Sequence, residues 1–123
     1  MIQMGTVLRA MDNSGAKRVK CIKPIKCSKK LGAKGGDRIL ISLKSIRTDK
    51  KLKRGELHWS LVTRIKKIKK RFDGSCIWFN FNNVMVINLK RSPLSTRAFG
   101  PIYMELKWEK DLRKLVGLAG MTV

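Results

Sequence analysis

The sequence of 123 residues contains few acidic residues and few of the side chains on which enzymes and metal sites depend. It has eight aspartates and glutamates, one histidine and three cysteines. The single histidine, His58, has no Ser-His-Asp or Cys-His arrangement around it that would support nucleophilic catalysis. Cys21 and Cys27 are separated by five residues, whereas zinc pairs typically have two to four, and Cys76 is distant. The sequence therefore predicts no enzyme, no metal site and no cofactor, and it favours a strand or RNA-contact role for His58 over catalysis.

Long apolar runs are also missing. The longest ones, such as residues 39–43 and 84–87, are far shorter than the roughly 20 residues that cross a membrane. Neither an amphipathic helix nor a lipidation signal accompanies the basic residues, so we expect no membrane partner. The odd number of cysteines and the lack of a secretory signal favour a reducing compartment with buried thiols and no structural disulfides.

Positive charge, in contrast, is in large excess. The 29 lysines and arginines give a net charge of +21, and self-repulsion of this size destabilises a free protein unless an anion neutralises it. Hydrophobic residues still make up 43% of the chain, which is too many for a disordered basic tail. We expect one folded domain over residues 1–123, with a basic surface that binds a polyanion.

The first half of the chain contains three segments with the alternating pattern of strands. Val7–Ala10 and residues 19–25 flank the cluster 12–15, whose residue types favour a tight turn. The glycine-rich and lysine-rich segment 28–37 precedes a third strand over Arg38–Ile46. Because this segment lacks the Gly-Lys-Ser/Thr ending of a phosphate-binding loop, we interpret it as a flexible connection. Residues 48–55 lack apolar periodicity and are expected to form an exposed basic loop.

The second half predicts a long hairpin followed by helix. Residues 57–65 and 76–89 have strand composition, and Asp73-Gly74 between them is a hairpin-turn signal, so their connection should project a basic finger away from the barrel wall. Pro101 follows Gly100 at a position suited to a first helical turn. Apolar residues then recur at helical spacing, and for three of them we favour core packing over a partner-binding role. They are Trp108, Leu112, Leu115, Val116 and Ala119, of which Leu112, Leu115 and Val116 are the three in question.

These elements predict a mainly β fold, a small closed or nearly closed barrel over about residues 1–100, with a helical tail over about 101–123. No helix-turn-helix, zinc finger or basic zipper is present, and the densest charge lies on loops, so sequence reading of DNA is not expected. Basic loops suit the irregular phosphate backbone of folded RNA.

Several motifs spaced along the whole chain occur in the order found in the universal large-subunit ribosomal protein fourteen family, which the chain resembles. They are Met1-Ile2-Gln3, Thr6 with Leu8, Asp12-Asn13-Ser14-Gly15-Ala16-Lys17, Cys21-Ile22-Lys23, Gly36-Asp37 with Ile39 and Lys44, Asp73-Gly74 with Phe79 and Asn82, and Thr96-Arg97 with Phe99-Gly100-Pro101. The sequence departs from the family pattern at Asn83, Met85 and Ala98.

The resemblance implies a five-stranded β-barrel with short C-terminal helices that binds large-subunit rRNA near the subunit interface. It also implies contacts with large-subunit proteins three and nineteen, a bridge to small-subunit rRNA, and a docking surface for the ribosome silencing factor. The alternative is a free RNA-binding translation or assembly factor, which would bind RNA reversibly. Because the family-like start is already at Met1, we expect no cleavable targeting extension. Composition favours a mitochondrial ribosome, with plastid and bacterial origins as alternatives.

The candidate rRNA contacts combine the basic residues after the first turn, the two basic loops and the late Thr96-Arg97 motif. They are Lys17, Arg18, Lys20, Arg47, Lys50, Lys51, Lys53, Arg54, Arg64, Lys66, Lys67, Lys69, Lys70, Arg71 and Arg97.

Overall fold

A computed structural model describes residues 1–25, 32–49 and 52–123. Five strands form the barrel, two very short strands form a separate ribbon, and short helices follow. The barrel strands are β1 (Val7–Ala10), β2 (Ala16–Pro24), β3 (Arg38–Ile46), β4 (Leu57–Arg64) and β7 (Asn83–Ile87). The ribbon strands are β5 (Lys69–Lys70) and β6 (Cys76–Ile77). Within the described part of the chain, no helix is long and apolar enough to cross a membrane.

The barrel is closed in the order β1-β2-β3-β4-β7. Each neighbouring pair is antiparallel except β1 and β7, which pair in parallel and close the barrel. The expected five-stranded barrel is therefore confirmed. Strands β1 and β3 have the predicted bounds, whereas β2 begins at Ala16, directly after the turn, and not at Val19.

The barrel strands separate two hydrophobic cores. One core fills the barrel and includes Leu8, Val19, Ile41 and Val86. The second lies outside the wall formed by β4 and β7, where Leu61 and Met85 pack under the C-terminal residues. All five residues of β7 are buried, because this strand has the barrel interior on one face and the second core on the other. This double burial explains the unbroken apolar run at residues 84–87.

The C-terminal segment covers that wall. Its 3-10 helices Met104–Trp108 and Lys110–Leu112 lead into α1 (Arg113–Ala119), and we call these three helices the C-terminal layer. The prediction that a helix begins at Pro101 is wrong, because the chain stays extended there and Ile102 forms a parallel bridge with Thr122.

The apolar pattern of this segment is mostly buried. Leu112, Leu115 and Val116 lie in the second core, which confirms their packing role. Trp108 shares their helical spacing but is 73% exposed.

The prediction of a long hairpin also differs from the structure. The predicted strand over 76–89 is interrupted, because residues 78–82 leave the sheet between β6 and β7. Phe79 enters the second core, where its ring contacts Tyr103 edge-on at 5.0 Å, and the Asn82 side chain accepts a hydrogen bond from the backbone N–H of Lys66 at 2.8 Å. The predicted basic finger contains the ribbon, residues 69–77, whose Lys69 and Arg71 side chains contact Glu105 of the C-terminal segment while residues 72–76 are exposed.

Residues 28–31 of the predicted glycine-rich connection lie outside the described residues. At its described end, a side chain at Gly35 would collide with the Tyr103 ring. Gly36 donates its backbone N–H to the carbonyl of Val62. Cys21 is buried as expected, but Cys76 is exposed on the thin ribbon, and Cys27 lies outside the described residues.

Candidate nucleic-acid interface

One side of the barrel is exposed and uniformly basic. Strand β1 contains one arginine, β2 contains four lysines and arginines and β3 contains two, and none of these strands contains an aspartate or glutamate. Because alternate residues fill the barrel interior, the residues between them face solvent. We call the exposed basic residues of these strands the basic wall, which comprises Arg9, Lys17, Arg18, Lys20, Lys23 and Lys44.

Two positive side chains of the basic wall lie directly opposite each other. Arg9 pairs with Arg18 across the antiparallel strands β1 and β2, and Lys20 lies two residues further along the same face. Like charges in opposing positions destabilise a sheet by a few tenths to about 1 kcal/mol. The arrangement is therefore more favourable when an anion lies over it.

The turn between β1 and β2 brings more basic residues to the end of this wall. The backbone N–H of Arg47 donates to the carbonyl of Gly15 at 2.8 Å, and that of Asn13 donates to the carbonyl of Arg97 at 3.1 Å. The exposed residues Arg47 and Arg97 thus flank the turn that precedes Lys17.

Asp12 holds this turn from inside. Its carboxylate accepts hydrogen bonds from the Ser14 hydroxyl at 2.7 Å and from the backbone N–H of Val86 at 2.9 Å. Burial raises the pKa of Asp12, and these hydrogen bonds oppose that rise. The acidic residue of the turn before β2 is thus directed into the protein and away from the surface.

The loop before β4 adds further exposed charge. Lys53 and Arg54 are exposed, while Leu52 packs into the barrel core. Lys50 and Lys51 lie outside the described residues.

The segment that leads into the ribbon and its first strand supply a second group of positive charges. Lys66, Lys67 and Lys70 are exposed. A cleft of about 510 Å³ between the N-terminus and the ribbon is lined by basic groups that include Lys34 and Lys67. Partial burial and the charge of Lys67 lower the pKa of the Met1 amino group. This cleft is suited to an anion such as a phosphate group.

Two ribbon residues form ion pairs with another part of the protein instead. Lys69 and Arg71 both bind the carboxylate of Glu105, at 2.8 and 3.0 Å. Partial burial alone would raise the pKa of Glu105, but the hydrogen bonds from Arg71 and Lys69 outweigh it and lower the pKa from 4.5 to about 2.

Arg64, at the end of β4, also forms hydrogen bonds within the protein. Its Nε donates to the carbonyl of Pro101 and its Nη2 to the carbonyl of Phe99, both at 2.6 Å. Burial lowers the pKa of Arg64. Gly100 has a φ of 81°, and a side chain there would collide with the Arg64 guanidinium. The Gly100-Pro101 pair thus forms a turn around an arginine.

Sequence reasoning did not select several residues of this surface. Arg9, Lys23 and Lys44 were overlooked because single basic residues in a strand are inconspicuous beside charge runs, although the sequence shows Asp12 as the one acidic residue among residues 1–36. Phe81 was also overlooked, and its ring lies 4.1 Å from the Arg9 guanidinium. His58 lies in β4 as predicted, with its Nε2 3.2 Å from a carboxylate oxygen of Glu56.

A comparison against protein families agrees with this structure, which has a closed barrel, short C-terminal helices and a basic wall. The family model described as ribosomal protein L14p/L23e matches residues 1–123, and the chain belongs to this family.

Proposed function

We propose that this ribosomal protein is a structural constituent of the large subunit and that it binds large-subunit rRNA through the basic wall. The observation that carries the proposal is the charge distribution on three adjacent strands, where basic residues are abundant and acidic residues are absent. Family membership supports a structural role over a catalytic one.

The binding mode follows from the chemistry of the wall. Exposed lysines and arginines neutralise phosphates and release condensed counterions, which makes the affinity strongly salt-dependent. Arg18 and Arg97 are suited to fixed phosphate contacts because the guanidinium is planar and binds two oxygens at once. The cleft beside Lys34 and Lys67 supplies a second contact with the RNA backbone.

The candidate contacts within the described residues fall into two classes, and Lys50 and Lys51, which lie outside them, remain proposed contacts. Those exposed on the wall, the adjoining loops and the ribbon are proposed to touch rRNA. They are Lys17, Arg18, Lys20, Arg47, Lys53, Arg54, Lys66, Lys67, Lys70 and Arg97. Arg64, Lys69 and Arg71 are proposed to act mainly by holding the fold, because their polar groups already have protein partners.

Finer assignments rest on the family. We place the protein near the subunit interface, in contact with proteins three and nineteen and with small-subunit rRNA at a bridge. We also propose that it docks the ribosome silencing factor. From composition, and not from the family, we propose a mitochondrial ribosome, with plastid and bacterial ribosomes as the alternatives.

A sucrose gradient at moderate salt tests the proposal. A structural constituent sediments with the large subunit, whereas a free translation or assembly factor remains at the top of the gradient. Sedimentation at the top would reject the structural role.

A further inference from the structure

Arg9 and Phe81 form a stacked pair at the seam where the barrel closes. The Arg9 guanidinium carbon lies 4.1 Å from the centre of the Phe81 ring, which is a close cation–π distance. The backbone N–H of Arg9 donates to the carbonyl of Asn82 at 3.1 Å, and Arg9 is in register with Asn83 across the parallel strands β1 and β7. Barrel closure therefore fixes the relative position of the two side chains.

This pair does not belong to either hydrophobic core. Phe81 is 47% exposed and Arg9 is also exposed. The guanidinium covers one face of the ring, so the exposed area leaves aromatic surface open to a ligand. A fixed, flat and partly exposed aromatic–guanidinium pair is the kind of platform on which an unstacked nucleic-acid base binds.

The charge around the pair selects the ligand. Arg9 lies opposite Arg18, and Lys20 follows on the same face, without any carboxylate in β1, β2 or β3. A nucleotide supplies both groups that this site lacks, namely a π face and a phosphate. An apolar protein segment would leave the two arginines without an anion.

We propose that an unpaired RNA nucleotide binds here, with its base stacked on the Phe81–Arg9 pair and its phosphate on Arg18 and Lys20. The inference rests on the proposed RNA-binding function, and it adds that the basic wall binds an unpaired nucleotide as well as duplex backbone.

The test compares single-stranded and duplex RNA. The probe is a single strand of about 12 nucleotides, within the usual size of single-strand sites, that carries the fluorescent base 2-aminopurine, and its duplex with an unlabelled complement. With the full chain, Phe81→Leu should weaken single-strand binding by roughly five- to fiftyfold and reduce the change in 2-aminopurine fluorescence, because a stacking face is lost. Its salt dependence and its duplex affinity should not change.

Trp108→Leu is the matched control, since it removes an exposed aromatic side chain from the C-terminal layer. Phe81→Tyr should retain wild-type binding. If Phe81→Leu behaves like Trp108→Leu while the wild type still binds both RNAs with a steep salt dependence, the stacking site is rejected and the proposed function stands. If the wild type binds neither RNA, the proposed function fails as well.

Ultraviolet cross-linking of intact large subunits provides an independent readout. We expect a nucleotide adduct on the peptide that contains Phe81. A cross-link from this peptide to another protein, without a nucleotide adduct, would overturn the proposal in favour of a protein partner.

Discussion

Arg71 donates two hydrogen bonds to the carboxylate of Glu105, from Nε at 3.0 Å and from Nη2 at 3.2 Å. The same Nη2 also donates to the backbone carbonyl of Val123 at 2.7 Å. Lys69, two residues earlier in the chain, completes the cluster with its ammonium 2.8 Å from Glu105. These side-chain contacts attach the ribbon to the C-terminal layer.

Removing the Glu105 charge should weaken this attachment in a pH-dependent way. The folded-state pKa of about 2 lies below the ordinary value of 4.5, so the ionised carboxylate stabilises the fold above about pH 5 and loses this effect as the pH falls towards 2. We expect Glu105→Gln to lower the free energy of unfolding by about 1 kcal/mol at neutral pH, a value reduced for solvent screening, and by progressively less in acid. Denaturant unfolding at several pH values measures the difference.

Glu109→Gln is the control, because it makes the same change of charge at an exposed site in the same layer. It reports the effect of net charge alone. If Glu105→Gln and Glu109→Gln lowered the free energy of unfolding equally at every pH, the cluster around Glu105 would not stabilise the fold.

The basic residues among residues 67–71 should separate RNA binding from folding. Lys67→Gln with Lys70→Gln removes two exposed charges, so we expect weaker RNA binding, a flatter salt dependence and an unchanged melting temperature. Lys69→Gln with Arg71→Gln removes the same charge but should lower the melting temperature, because both residues bind Glu105. Filter binding over a salt series and thermal unfolding of both variants test this. Equal melting temperatures for the two double variants would show that the cluster does not stabilise the fold.

The local alternation of apolar and polar residues was sufficient to predict part of the fold. Strands β1 and β3 alternate cleanly because one face of each fills the barrel, and their bounds agree with the sequence prediction. The interruption at residues 78–82 was not predictable in this way. The segment has high strand propensity, but Phe79 packs against Tyr103 and Asn82 bonds to Lys66, and contacts between distant residues override local propensity.

The candidate site shows the same difference between what local sequence predicts and what depends on contacts between distant residues. Composition and charge runs were sufficient to predict an anionic partner and the exposed lysines. They could not distinguish Arg64 and Arg71 from free surface arginines, because their partners lie more than 30 residues away in sequence, at Pro101 and Glu105. The Arg9–Phe81 pair depends on the parallel closure of β1 against β7, and no local pattern indicates that pairing.

Arg64 should matter for stability. Arg64→Ala leaves the carbonyls of Phe99 and Pro101 without their donor, and a lost charged hydrogen bond of this kind costs about 2 kcal/mol. Arg64→Lys should recover only part of this, since an ammonium does not reproduce the geometry of the guanidinium fork. Lys66→Ala, nearby and exposed, should have little effect on the free energy of unfolding. Full stability of Arg64→Ala would make Arg64 available as an RNA contact after all.

The two described cysteines should differ in reactivity. Cys76 is exposed, whereas Cys21 lies in the barrel core and burial raises the pKa of its thiol. In a Cys27→Ser background, a maleimide should label Cys76 quickly and Cys21 only when the barrel unfolds. Mass spectrometry of the labelled peptides over time checks this order. Labelling of Cys21 at the rate of Cys76 in the folded protein would contradict the closed barrel.

The basic wall should account for a measurable part of the salt dependence of RNA binding. Replacing Lys17, Arg18 and Lys20 by glutamine should reduce the slope of log affinity against log salt by about two, since each neutralised phosphate contributes roughly 0.7 to 0.9. The matched triple replaces Lys107, Lys110 and Lys114, which are exposed on the C-terminal layer, and it makes the same change in net charge. If the wall is the interface, the second triple should change the slope much less. Equal slopes for both triples would mean that RNA responds to the net charge of the protein and not to the three strands that carry it.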